Sequence, residues 1–233
     1  MFTGHYAPAV LAAALPRARE RGLGVGTLFI AAQLVDLAFF SFVLLGVENM
    51  REVPGFTAMN PMDLYHMPYT HSLIGALGFA AAWAIGARLL RCDWPAAWIG
   101  AAVVASHWLL DLLVHAPDLT LTGVGRRYGF GLWNHPTIEM PLELGLIALA
   151  LVFYASRTRA TGWQGKASLI TLIAMLALLQ AVNWFAPQSP VTIDPVPPAT
   201  PLTALAAYAI LTALAWWTAA TRAPGAGPAV HSL

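Results

Sequence analysis

Cysteine and charge are the two features of which this chain has little. Cys92 is the single cysteine among 233 residues, so no disulfide within the chain and no thiolate-rich zinc site is expected. Only 10% of the residues are charged, whereas a soluble domain carries about 25%. The formal net charge of +1 provides no basic surface for a nucleic acid. These shortages exclude a disulfide scaffold and a nucleic-acid-binding domain.

Apolar residues are abundant instead, at 58% of the chain with a mean hydropathy of +0.65. A membrane-spanning helix needs about 20 consecutive apolar residues, and six segments meet this length. They are residues 24–46, 71–90, 95–116, 138–156, 167–186 and 202–221. We therefore predict an all-α, polytopic transmembrane bundle of about six full spans in a single domain, residues 1–222. A shorter run, residues 5–16, predicts a short N-terminal membrane helix, and residues 223–233 predict a disordered tail.

Basic residues are distributed unevenly between the two sets of loops that alternate along the chain. One set contains nine and the other three, namely Arg51, Arg126 and Arg127. The richer set consists of Arg17, Arg19, Arg21, Arg88, Arg91, Arg157, Arg159, Lys166 and Arg222. The positive-inside rule places the richer set in the cytoplasm. The C-terminus is then cytoplasmic, and the long loops 47–70, 117–137 and 187–201 are outside.

Ionisable side chains inside these apolar segments are the main functional signal. Asp36 lies near the middle of the first long segment, and SHWLLDLLVHAPD contains His107, Asp111 and His115 at intervals of four. Residues four apart lie on one helical face, and each charged group at mid-membrane costs about 2.5–3.5 kcal/mol on insertion scales. Such groups require a partner, a cavity or a metal ion. Asp118 follows in a loop-like HAPD and either extends this stripe or forms a turn.

Further candidate ligands are predicted at the same outer level of the membrane. His135, Glu139 and Glu143 are again four apart, although proline interrupts their helix. HMPYTHS places His66 and His71 at the outer end of the second span. The candidate metal ligands are thus His5, Asp36, His66, His71, His107, Asp111, His115 and His135. The candidate catalytic carboxylates are Glu139, Glu143 and Asp118.

The ligand types constrain the metal. Imidazole with carboxylate and without thiolate suits Zn, Mn, Fe or Ni. Five or more ligands exceed one tetrahedral zinc, whereas two adjacent ions sharing Asp111 would use them, and a two-metal site activates water and clamps a phosphate. The alternative for any single histidine or aspartate is an ordinary buried hydrogen bond. We favour metal binding for His71, His107 and Asp111 as a set.

Four motifs occur in a recognisable order: Gly4-His5, Asp36, His66-x4-His71-Ser72 and Ser106-His107-x3-Asp111. With these motifs, residues 1–145 resemble the membrane-bound metal-dependent hydrolases, a bacterial inner-membrane family distantly similar to zinc-dependent phospholipase C. The resemblance implies that His71, His107, Asp111 and Asp36 hold one metal, and that His5 reaches a second beside Asp111. It also implies a further zinc site at His115, His135 and Glu139.

These observations predict a membrane-embedded hydrolase that uses one to three zinc-like divalent ions. Its substrate would be an ester, most simply a lipid phosphoester, cleaved at the outer face of a bacterial inner membrane. Arg126 and Arg127 are candidates for phosphate contacts or an ordinary solvated pair. The alternatives are a metal-ion or proton transporter that uses the same His/Asp cluster, a haem protein with histidine axial ligands, and a scaffold in which the site is a relic.

Overall fold

Seven α-helices carry most of the chain in the computed structural model, which describes residues 1–16, 18 and 22–225. They are α1 (Tyr6–Ala13), α2 (Val25–Leu44), α3 (Leu73–Leu89), α4 (Trp94–Val114), α5 (Pro136–Arg157), α6 (Trp163–Phe185) and α7 (Ala199–Thr221). The predicted all-α helical bundle is confirmed. Five of these helices, all except α1 and α3, are long and apolar enough to cross a membrane.

Helix α3 is shorter than the predicted span 71–90. It contains 17 residues, which at 1.5 Å per residue extend about 26 Å, a little less than a hydrocarbon core of about 30 Å. The helix begins late because Ser72 is its extended N-cap, and the Ser72 side chain accepts a hydrogen bond from Gly75 N at 3.0 Å. His71 therefore lies just outside the helix, at its N-terminal end.

The N-terminal run forms an interior helix rather than a span. Helix α1 has eight residues and packs against α2, α4 and α5. Tyr6, Ala9 and Val10 are completely buried. A short 3-10 helix, Thr3–His5, precedes α1 and carries His5 into the centre of the bundle.

Among the described residues, three short antiparallel pairs lie outside the helices, where the sequence predicted loops and, from residue 223, a disordered tail. The strands are β1 (Asn49–Glu52) with β2 (Met62–His66), β3 (Leu119–Thr120) with β4 (Arg127–Tyr128), and β5 (Thr158–Ala160) with β6 (Arg222–Pro224). Arg51 Nε donates to Asp63 Oδ2 at 2.7 Å across the first pair, and this hydrogen bond raises the pKa of Arg51. The first two pairs lie at the end of the bundle where α2 and α4 finish.

Some of the sequence predictions concern residues that the structure does not describe. Arg17, Arg19 and Arg21, which contributed to the predicted orientation, lie outside the described residues, as do residues 226–233 of the predicted tail. The beginning of that tail is ordered, because Ala223 and Pro224 belong to β6 and pair with β5.

Candidate metal centre

Six histidine and aspartate side chains from separate parts of the chain meet at one end of the bundle. They are His5 before α1, Asp36 in α2, His71 before α3, His107 and Asp111 in α4, and His115 at the end of α4. All except Asp36 are almost completely buried, and the Asp36 side chain is 14% exposed. The bundle thus brings these six ionisable groups together in one place.

The stripe predicted on α4 forms as expected over its first two members. His107 and Asp111 are buried on one face, and His107 Nε2 lies 3.1 Å from Asp111 Oδ2. The helix ends at Val114, and His115 follows it with extended backbone. His115 nevertheless turns inward, with Nε2 3.5 Å from Asp111 Oδ1.

The remaining distances join the other segments to this stripe. Nε2 of His71 lies 3.4 Å from Asp36 Oδ1 and 3.7 Å from Asp111 Oδ2, and Nε2 of His107 lies 3.3 Å from Asp36 Oδ1. Among the described residues, three sets each offer one ligand atom per residue within 4.8 Å of one another, so these groups could hold a metal ion. The sets are His5 with His107 and Asp111, Asp36 with His71 and His107, and His71 with Asp111 and His115.

Hydrogen bonds on the outer ring nitrogens determine which nitrogen of two histidines carries the proton. His107 Nδ1 lies 2.8 Å from the carbonyl oxygen of Ala32, and His115 Nδ1 lies 3.0 Å from Asp118 Oδ1. A carbonyl or a carboxylate only accepts, so Nδ1 carries the hydrogen in both rings. In the neutral imidazole, Nε2 then presents a lone pair to the cluster.

His71 reaches the same state through a hydroxyl relay. Thr70 Oγ1 donates its only hydrogen to Glu48 Oε2 at 2.6 Å, since a carboxylate has none to give. Thr70 Oγ1 must therefore accept from His71 Nδ1, which lies 2.9 Å away. Glu48 is completely buried and also accepts from the backbone N–H groups of Tyr69 and Thr70. The relay fixes the ring of His71 with Nε2 facing the cluster.

The lone pair of a ring nitrogen and a carboxylate oxygen that faces it repel each other unless a cation lies between them. Within the described structure, His107 Nε2 and Asp111 Oδ2 are both buried and neither has a hydrogen-bond partner, although they lie only 3.1 Å apart. Buried polar atoms in proteins are nearly always partnered, and those that are not call for an explanation such as an ion. This donor set, imidazole nitrogen with carboxylate oxygen, is one that divalent transition metals accept.

His5 joins the cluster at Oδ1 of Asp111, whereas His107 and His71 lie nearest to Oδ2. Its Nε2 lies 2.9 Å from Asp111 Oδ1, and its ring stacks on that of His107 with 3.8 Å between centroids and 4° between planes. The amino group of Met1 also donates to Asp111 Oδ1, at 3.1 Å, and forms a buried ion pair with it. Asp111 is therefore the central group, approached by four histidines.

An open cleft with a cavity volume of about 60 Å³ leads to the cluster, with Asp36, His71, Asp111 and His115 in its wall. Apolar and aromatic side chains from α2, α7 and the loops form most of the remainder, with two asparagines among them. These are Phe39, Phe40, Met62, Leu64, Trp133, Tyr208, Asn60 and Asn183. Tyr208 Oη donates to Asp36 Oδ2 at 2.9 Å and so orients this carboxylate.

Two predicted ligands lie outside this cluster. His66 is exposed at the end of β2, and His135 is exposed as the N-cap of α5. Neither belongs to any of the three sets found among the described residues. The further zinc site predicted at His115, His135 and Glu139 is not among those sets either.

The predicted catalytic carboxylates also differ in their surroundings. Asp118 is buried and contacts His115. Glu139 is completely buried and, in the described structure, neither of its carboxylate oxygens has a hydrogen-bond partner. Glu143 accepts hydrogen bonds from backbone N–H groups and from Gln180. Their catalytic roles remain predictions.

The arginines predicted to contact phosphate are on the surface. Arg126 and Arg127 are exposed at the β3–β4 turn. Arg127 Nη2 donates to the carbonyl oxygen of Tyr65 at 3.3 Å, and Arg126 lies over the ring of Tyr128. Neither is in the wall of the cleft.

Several residues that support the cluster were not predicted from the sequence. Thr70 precedes His71 directly, and a hydroxyl beside a predicted ligand is a signal that was available. Glu48, Tyr208 and Gln180 are distant in sequence from the residues they support, and only the packing of α2, α6 and α7 brings them near.

A scan against models of protein families finds no match, and neither does a search of curated proteins or of solved structures. The resemblance to the membrane-bound metal-dependent hydrolases thus stays a prediction.

Proposed function

We propose that this chain is a membrane-embedded, metal-dependent hydrolase that cleaves an ester of an amphiphilic molecule, most simply a lipid phosphoester. One observation carries the proposal. The Nε2 atom of His107 and Oδ2 of Asp111 are buried 3.1 Å apart without a hydrogen-bond partner, in a cluster that opens on a cleft lined by aromatic and polar side chains. A cation satisfies the cluster, and an amphiphile suits the cleft.

The donor set favours zinc or a neighbouring transition metal over magnesium or calcium, which prefer oxygen ligands. His71, His107, Asp36 and Asp111 would hold one ion, and His5 and His115 offer nitrogens for others, giving one to three ions. When bound, such ions supply a Lewis acid and a water nucleophile that is active near neutral pH.

The side chains of the cleft would bind and orient the substrate. Phe39, Phe40 and Tyr208 offer an apolar surface for a hydrocarbon chain beside the cluster. Asn60 and Asn183 lie in the same wall and carry amides that can hydrogen-bond a polar head group. Tyr208 keeps Asp36 oriented through its hydrogen bond. Burial of the substrate's hydrocarbon chain against aromatic rings would exclude bulk water from the scissile bond.

The position of the cluster supports a substrate drawn from the bilayer. The apolar helices indicate insertion into a membrane, and the cluster lies at one end of them, beside β1–β4. Arg157, Arg159 and Lys166 lie at the other end of α5 and the start of α6. By the positive-inside rule, the cluster would face outward in a bacterial inner membrane.

A transporter, the second prediction from the sequence, would require a polar path through the bundle. Beyond the cluster, the described core between α1, α2 and α4 contains apolar side chains such as Val10, Leu28, Phe29, Ala101 and Val104. This packing favours hydrolysis over transport.

The test compares purified wild type with Asp111→Ala, and with His66→Ala as a control outside the cluster. We expect one or more zinc-like ions per chain by elemental analysis in wild type and His66→Ala, and a loss in Asp111→Ala. Both metal-loaded proteins should release product from phospholipid vesicles, and Asp111→Ala should not. Metal-loaded wild type that takes zinc into liposomes without cleaving any ester would contradict hydrolysis in favour of transport. A haem absorption spectrum would contradict both.

A further inference from the structure

The segment that carries His5 is held by one carboxylate and one amide. Glu143 Oε1 accepts from Phe2 N at 2.6 Å and from Gly4 N at 2.9 Å. Gln180 Oε1 accepts from Thr3 N at 3.1 Å and from Thr3 Oγ1 at 2.7 Å. Three successive residues before His5 are therefore fixed to α5 and α6.

The two side chains are also bonded to each other, which fixes their orientations. Gln180 Nε2 donates to Glu143 Oε2 at 3.0 Å. Both residues are 1% exposed. Gln180 cannot reverse its amide without turning a donor toward Thr3 N. Three donors already occupy Glu143, which leaves it poorly placed to bind a metal or accept a proton from substrate.

We propose that Glu143 and Gln180 are positioning residues, and that together they aim His5 at Asp111. This inference rests on the proposed function, because it treats His5 as a metal ligand. The 3-10 helix Thr3–His5 is too short to be stable alone, and the four hydrogen bonds to the pair hold it. His5 Nε2 then lies 2.9 Å from Asp111 Oδ1. Glu143 thus acts through His5, whereas the sequence predicted it as a catalytic carboxylate.

Exchanging the two residues tests the inference sharply. Glu143→Gln turns its new amide donor toward the donor of Gln180, and Gln180→Glu sets two carboxylates against each other. In the double variant Glu143→Gln/Gln180→Glu, the new amide on α5 accepts from Phe2 and Gly4 and donates to the new carboxylate on α6, which accepts from Thr3. The four hydrogen bonds to the segment, the bond within the pair and the net charge are then all retained.

The readouts are Zn²⁺ affinity, measured by competition with a chelator, and the absorption spectrum of the Co²⁺-loaded protein. Loss of a residue that orients a metal ligand typically weakens metal affinity about 10–100-fold, and we expect this of each single variant. The double variant should return to wild-type affinity and spectrum. Gln164→Glu adds the same negative charge as Gln180→Glu, but at an exposed site on α6. It should change neither the Zn²⁺ affinity nor the Co²⁺ spectrum.

A second comparison asks whether the pair acts through His5. If it does, Glu143→Gln should weaken Zn²⁺ binding no further in a His5→Ala background, since coupled residues are not additive. An exchange variant, Glu143→Gln/Gln180→Glu, that is as impaired as the single variants would refute positioning and return Glu143 to a ligand or base. Single variants that bind Zn²⁺ like wild type would refute it as well. Wild type that binds no metal would overturn the proposed function and this inference together. If a single variant does not fold, the exchange alone decides.

Discussion

Asp111→Asn is the most informative single substitution, because it removes one negative charge and almost no volume. Asp111 lies between 2.9 and 3.7 Å from Nε2 of His5, His71, His107 and His115. The substitution therefore asks whether the histidines face Asp111 with lone pairs or with protons. Neutral rings require a metal ion in the cluster, and protonated rings do not.

The two possibilities give different free energies of unfolding for the metal-free protein. If the rings are neutral, the new amide relieves repulsion and offers its hydrogens to the ring nitrogens, which offsets the loss of the ion pair with Met1, so the metal-free variant should be about as stable as wild type. If the rings are charged, the substitution leaves buried cations unpaired, which costs about 3–5 kcal/mol. Added metal should instead raise the free energy of unfolding of wild type above that of the variant. At about 1,000 times its Kd, an ion that binds only the folded state stabilises wild type by about 4.1 kcal/mol, and we expect almost no gain in the variant.

Unfolding in detergent micelles, followed by circular dichroism with chelator and then with added zinc, gives both quantities. Elemental analysis of the same samples reports the metal content. A metal-free variant that is about 3–5 kcal/mol less stable than metal-free wild type would refute the assignment of lone pairs, and with it the reason for placing a metal here.

Three further predictions concern the surroundings of the cluster and the packing of the bundle. Thr70→Val removes the acceptor for the ring of the following histidine and should weaken Zn²⁺ affinity about 10–100-fold in a chelator competition, whereas Thr70→Ser should not. His66→Ala and His135→Ala should keep the wild-type metal content in elemental analysis, because both side chains are exposed outside the cluster; loss of metal from either would restore it as a ligand. Gly100→Ala would overlap the indole of a tryptophan on α3 and should destabilise the bundle by about 1–3 kcal/mol in thermal unfolding. Its control is Gly86→Ala, where a methyl group meets open space and should be neutral or stabilising.

The sequence could predict the elements whose signal is local. Apolar length predicted the helices within a few residues, and the four-residue spacing predicted that His107 and Asp111 share a buried face. Five of the predicted ligands lie in the cluster together with Asp111. Each was predicted at the outer end of its segment or near the centre of that segment. The spacing of His135, Glu139 and Glu143 was equally regular, yet His135 is the exposed cap of its helix. Periodicity identifies residues that share a helix face, but the packing of neighbouring helices decides which of those residues are buried.

The contacts that the sequence could not supply are those between distant polar residues. Glu48 follows the first long helix by a few residues, in the predicted loop 47–70, yet it is completely buried and accepts a hydrogen bond from Thr70. Gln180 and Tyr208 lie in the last two apolar helices, and nothing in the sequence links either of them to the polar residues of the first half of the chain. Their roles follow only from the packing of α6 and α7 beside the segments that contain the ligands.

The cluster also bears on how the bundle is held together. Its side chains come from the segments before or within α1, α2, α3 and α4, so a bound ion would cross-link four separate parts of the chain. Apolar packing alone discriminates weakly between helix arrangements in a bilayer, because lipid is as apolar as the helices. A carboxylate such as Asp111, which is costly wherever it lacks its partners, penalises every arrangement that separates it from its histidines. The polar residues of this chain can therefore specify the arrangement of the helices as well as the chemistry of the site.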